Sequence, residues 1–127
     1  MKLAVIGSGP AALETALHFH QLGASVTLFY ADQIGGNVVR LNKVAPQSVV
    51  GKALEKTSEL GRSLVTHALS DLLTAEDYLA KYLIPISQYL EQEGILKKGR
   101  VLRVHKRFLQ LNEEINGRSR LHDLFRV

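Results

Sequence analysis

Residues 1–30 constrain this chain more than any other stretch. Lys2-Leu3-Ala4-Val5-Ile6 is almost wholly apolar, as a strand covered on both faces of a parallel sheet must be. Glycines follow at once in the pattern G-x-G-x-x-A, read as Gly7-Ser8-Gly9-Pro10-Ala11-Ala12. Leu13, Ala16, Leu17 and His20 then recur at helical spacing, Gly23 is placed to stop the helix, and Ser25-Val26-Thr27-Leu28-Phe29-Tyr30 reads as a second strand. The pattern predicts a βαβ unit.

Each residue of the turn has a physical reason to be there. Gly7 permits a tight exit from the strand, Gly9 lacks the Cβ that would keep a pyrophosphate at a distance, and Ala12 lets the helix pack close to the sheet. Pro10 suits the first helical turn, where no N–H is needed and its fixed φ is an advantage. The free N–H groups of that turn, Ala11 and Ala12 included, and the positive end of the helix would face an anion. A glycine-rich strand-to-helix turn can also arise for structural reasons alone. With strand, helix, Pro10 and second strand all in register, a nucleotide or dinucleotide site is the expectation, and the pattern specifies a ligand class but no reaction.

Size and composition narrow the rest. The 127 residues, 46% of them hydrophobic, suffice for one domain over residues 1–127 with a real core. No apolar run reaches transmembrane length, and Leu3 to Ile6 is too short for a signal-peptide core, so a cytoplasmic protein without membrane contact is expected. The absence of Cys removes disulfides, thiolate metal sites and dithiol redox chemistry; any electrons must travel through a cofactor. The five His residues lack metal-ligand spacing, so no metal is expected, and neither a nucleophile elbow nor a P-loop ending is present. Residues 1–96 carry seven Lys and Arg against nine Asp and Glu, whereas residues 97–127 carry nine against three. Without an aromatic series beside it, that basic end reads as a solvated or covered strand face rather than a nucleic-acid surface.

In a Rossmann unit an acid about 20 residues past the turn holds the adenosine ribose. Tyr30 stands at that place, and Asp32, two residues on, either reaches the ribose or holds its own turn. Gly35 and Gly36 follow directly. With V-I-G-S-G-P-A-A, the strand V-T-L-F and this doublet, the stretch from Ala4 to Arg40 resembles the amino-terminal part of FAD-dependent oxidoreductases with two dinucleotide-binding domains, the thioredoxin-reductase-like and pyridine-nucleotide-disulfide-type flavoproteins. The resemblance implies that Gly7, Gly9 and Ala12 bind the FAD pyrophosphate and that Gly35 and Gly36 pass near the flavin side. It also implies NAD(P)H as electron donor in the complete protein. The chain departs from that family at Tyr30, which replaces the usual Glu, and in lacking both a redox Cys pair and a second glycine fingerprint.

Farther on, Ala45-Pro46-Gln47-Ser48 signals a turn, and Val49 to Leu64 carries helix formers interrupted by Gly51 and Gly61, predicting a loop rather than one long helix. Arg40, Lys43 and Lys52 read either as surface charges or as groups that approach a phosphate or substrate. Thr74 is a helix N-cap with Glu76 and Asp77 in the first turn; Tyr78, Leu79, Tyr82, Leu83, Ile86 and Leu90 form an apolar stripe, Pro85 should kink it, and Gly94 ends it. Glu14, Glu76 and Asp77 read as surface or capping acids. From Arg100 the pattern turns to β, with Asn116-Gly117 as a hairpin turn. Here the family resemblance implies the start of a β-meander in which the Val101 backbone meets the adenine; a plain strand contact is the alternative.

The expected fold is therefore α/β, a Rossmann-like FAD-binding βαβ unit with a parallel sheet, a helical insertion and a partial antiparallel β-meander, read as an incomplete domain. Its open last strand would be covered by the rest of a larger chain or by a homo-oligomer. The expected function is the FAD-binding segment of a flavin-dependent, NAD(P)H-linked oxidoreductase, with a stand-alone NAD(P)- or nucleotide-binding or interaction module as the alternative.

Overall fold

The computed structural model describes residues 1–65, 67–104, 108–113 and 118–123. The amino-terminal unit forms as its pattern requires, with strand β1 (Lys2–Ile6), helix α1 (Pro10–Gln21) and strand β2 (Ser25–Tyr30). β1 and β2 run parallel, in register from Lys2 opposite Ser25 to Ile6 opposite Phe29. Strand β3 (Leu96–Lys98) adds in parallel to the other side of β2, giving the order β1-β2-β3. Gly23, at φ +87°, stops α1 in a conformation that a side chain would strain, and its N–H donates to the His20 carbonyl.

The central strand β2 is covered on both faces. Val26 and Leu28 pack with Leu13, Ala16 and Leu17 of α1, while Phe29 turns the other way onto Ala4 and Val101. Each fully buried Leu here contributes about 1.5–3 kcal/mol over leaving it in water. Val101 belongs to a second, antiparallel sheet of β4 (Arg100–Val104), β5 (Phe108–Glu113) and β6 (Arg118–Asp123), in that order. The stretch from Arg100 through Leu111, which the sequence reads as one strand of a hairpin, is thus two strands, β4 and β5, with a register irregularity between Val101 and Arg103. The predicted Asn116-Gly117 turn and residues 124–127 lie outside the described residues.

The segment from Asn37 to Asp71 corrects the expectation of a loop over Val49 to Leu64. Three short helices fill it, α2 (Asn37–Val44), α3 (Gly51–Glu55) and α4 (Glu59–Leu64), followed by a 3-10 turn at Leu69–Asp71. Long-range backbone bonds hold it: Val50 N–H donates to Leu73 O at 2.9 Å, Ala75 N–H to Ser48 O at 2.8 Å and Glu76 N–H to Pro46 O at 3.0 Å. Such partners lie too far along the chain for local propensity to register.

Thr74 caps the next helix as predicted, its hydroxyl accepting from Asp77 N–H at 3.2 Å. That helix runs as α5 (Ala75–Tyr78), a π-helical turn (Leu79–Leu83) and α6 (Ile84–Gln92). Pro85 has no N–H to give and its ring would strike the carbonyl four residues back. The wider π turn just before it accommodates both, so the helix is rewound at Pro85 instead of being broken.

Glu14 is the second correction. It is half-buried, accepts the Tyr82 hydroxyl, and accepts Ser58 N–H at 3.3 Å at the start of α4. One carboxylate thereby ties α1, α4 and the π turn together. Burial foremost, then the Glu14 hydrogen bond and charge, pushes the Tyr82 phenol well above its usual range, and burial with the Glu14 charge does the same for Tyr78. Tyr78 Oη has no hydrogen-bond partner among the described residues.

The two tyrosines should therefore respond oppositely to loss of the hydroxyl. Tyr82→Phe is expected to cost about 1.5–3 kcal/mol because it strips a charged acceptor of its donor, whereas Tyr78→Phe should be neutral or stabilising by up to about 1 kcal/mol. Urea denaturation checks both. Because the folded phenols ionise at higher pH than free ones, their contribution is complete below about pH 10 and is lost as the pH climbs toward the folded values. Denaturation midpoints between pH 9 and 11 should fall less steeply in the Tyr78→Phe, Tyr82→Phe double variant; an unchanged slope would refute this account.

Candidate functional site

The turn between β1 and α1 is held from both sides. Gly7 N–H donates to Phe29 O at 3.0 Å, tying the turn to the end of β2, and Gly35 N–H donates to Ser8 O at 2.7 Å, tying the glycine doublet to it. Gly7, at φ +143°, takes a conformation that glycine favours, and a Cβ there would press on the Ala12 Cβ at 3.3 Å. Small residues at 7 and 12 thus have a packing reason within the chain itself.

Gly9 has none. It sits at φ −80°, ψ 179°, extended backbone open to any residue, and a Cβ built on it meets no atom within 4 Å. It is the N-cap of α1, receives no side-chain cap, and is followed by Pro10 at the start of the helix, with no acid in the first turn. The amides of Ala11 and Ala12 have no intrahelical acceptor at that end. Uncapped donors, a positive helix end and a missing Cβ therefore face the same open space.

The doublet packs directly onto this turn. Gly36 adopts φ 54°, ψ −128°, and a Cβ there would lie 3.0 Å from Gly9 Cα and 3.2 Å from Gly9 N. Gly35, at φ +117°, would place a Cβ 2.9 Å from Leu79 Cδ1. Gly36 is needed because two backbones meet there, and Gly35 because the side chains of Val39 and Leu79 fill the space beside it, reasons that the sequence pattern alone does not supply.

The remaining predicted residues divide. Asp32 lines a pocket of about 290 Å³ with Ser8, Gln33, Asn37, Arg40 and Lys43, and among the described residues its carboxylate accepts no hydrogen bond from its own turn. Tyr30 instead ends β2 on the face of Val26 and Leu28 and packs against the core, its carbonyl accepting from Gly99 N–H at 2.8 Å. Val101 packs its side chain on Phe29, and its backbone pairs in register with Leu111. Lys52 lines a different, apolar groove beside Val38, Leu41, Val49 and Val50.

The pairing of Arg40 with Lys43 in one pocket is a feature that the sequence left open. The signal was their spacing of three on a helix, legible only once α2 is known to be one. Among the described residues no cluster of three His, Asp or Glu side chains could hold a metal, and no helix is long and apolar enough to cross a membrane. The chain matches no protein-family model and no curated protein.

Proposed function

We propose that this chain is the FAD-binding segment of a flavin-dependent, NAD(P)H-linked oxidoreductase. The observation that carries the reading is Gly9: a glycine with ordinary dihedrals and empty space where its side chain would be, at the uncapped start of a 12-residue helix. No packing contact excludes a side chain there, and a diphosphate lying against the backbone would. Gly7, Ser8, Gly9 and the Ala11 and Ala12 amides would cradle the diphosphate, and Asp32 would face the adenosine ribose. FAD, when bound, supplies two-electron chemistry by taking a hydride at its ring. The chain's own part is to bind and orient the cofactor.

Gly9→Ala tests this directly. Loss of glycine entropy from the unfolded chain stabilises by about 0.4–1 kcal/mol, and alanine is a worse N-cap by a similar amount, so the fold should change by less than about 0.5 kcal/mol. FAD binding, followed by calorimetric titration, should weaken at least tenfold, about 1.4 kcal/mol. Undiminished FAD binding by the variant would defeat the reading. Tight NADH binding by the parent chain, with none for FAD, would replace it with a nucleotide-binding module.

A further inference from the structure

We infer that Arg40 and Lys43 of α2 supply the counter-charge for the diphosphate held at Gly9, an inference that rests on the dinucleotide reading above. A diphosphate bridge brings two negative charges. The end of α1 offers only about half a positive charge, and no Lys or Arg lies on the Gly7–Ala12 turn. Most of the neutralisation must come from elsewhere in the crevice.

Arg40 and Lys43, three residues apart on one helical face, line the pocket that Ser8 shares. Gly36 lines it as well, and the same Gly36 rests against Gly9, so pocket and turn share a wall. The ion pairs among the described residues are His20 with Glu93 and Lys81 with Asp77, which leaves Arg40 and Lys43 without a carboxylate partner within 4.0 Å. Asp32 also lines the pocket, so its charges are two cations against one acid. Arg40 adds a planar fork of donors suited to phosphate oxygens, and Lys43 a compact charge. Both residues are exposed, so neither cation is needed to fill the core.

A phosphate on the adenosine ribose is the other anion such cations could meet, since Tyr30 leaves the ribose without the usual acid and a nearby Arg can accept a 2′-phosphate. The placement of Ser8 and Gly36 on both pocket and turn favours the diphosphate. Titrations of the chain and of Arg40→Gln, Lys43→Gln and the double variant with FAD, ADP-ribose and 2′-phospho-ADP-ribose separate the two sources. Each single change should weaken all three ligands alike, by about tenfold at low salt, with the difference shrinking as salt rises, while Lys52→Gln leaves binding unchanged. Loss confined to the 2′-phosphorylated ligand would overturn the inference in favour of the ribose. Unaltered binding in the double variant would overturn it while leaving the dinucleotide reading standing. If the parent chain binds none of the three, the premise itself falls.

Discussion

Gly36→Ala is expected to lose both folding stability and FAD binding in one step. At φ 54°, ψ −128° an L-residue is strained, which costs about 1–3 kcal/mol. The added carbon would also sit 3.0 Å from Gly9 Cα, a backbone atom that no rotamer change can move aside. Overpacking of this kind adds about 1–3 kcal/mol. A total near 3 kcal/mol or more, read as a lower denaturation midpoint, should accompany displacement of the glycine turn. The contrast with Gly9→Ala is the informative part, because that change should remove binding and spare the fold. A Gly36→Ala chain as stable as the parent would mean that the two loops do not meet as described.

Gly61→Ala should reverse the usual sign of a helix substitution. Alanine is favoured over glycine inside a helix by about 1 kcal/mol, and Gly61 lies within α4 at an unremarkable φ. Its Cβ would nevertheless fall inside contact distance of the Tyr82 hydroxyl, 3.1 Å from Tyr82 Cζ and 2.9 Å from Ser58 Oγ. Accommodating it means moving Tyr82, 1% exposed, away from Glu14. Losing a hydrogen bond to a charged acceptor costs about 1.5–3 kcal/mol, so a net destabilisation of about 2 kcal/mol is expected once strain is included. In a Tyr82→Phe background the obstructing oxygen is gone and the same substitution should cost far less, which a double-mutant cycle measures directly. A stabilising Gly61→Ala in the parent chain would remove the close approach from this account.

Where sequence reading succeeded, the signal was local. Gly23 and Gly94 stop helices at positive φ, Thr74 caps through a partner three residues away, and the apolar stripe from Tyr78 to Leu90 is buried throughout. It succeeded less well between Asn37 and Leu64, where the connection between short helices is held by backbone bonds to the distant stretch from Leu73 to Glu76. Gly61 reads as an interruption of helix propensity, yet its place is set by the tyrosine above it. Glu14 reads as a surface acid on the first helix, yet its partners are Ser58 and Tyr82, 44 and 68 residues onward.

The order of residues by itself determined the βαβ unit, the turn that leaves Gly9 bare at a helix start, and the ends of the main helices, because each depends on dihedral preferences and periodicity within a few positions. Only the tertiary structure decided that Gly36 rests on Gly9, that Tyr30 faces the core while Asp32 faces a pocket, and that Arg40 and Lys43 share that pocket with Ser8. Those are meetings of separate segments, set by how helices and strands pack to cover β2, and no local pattern encodes the distance between two loops.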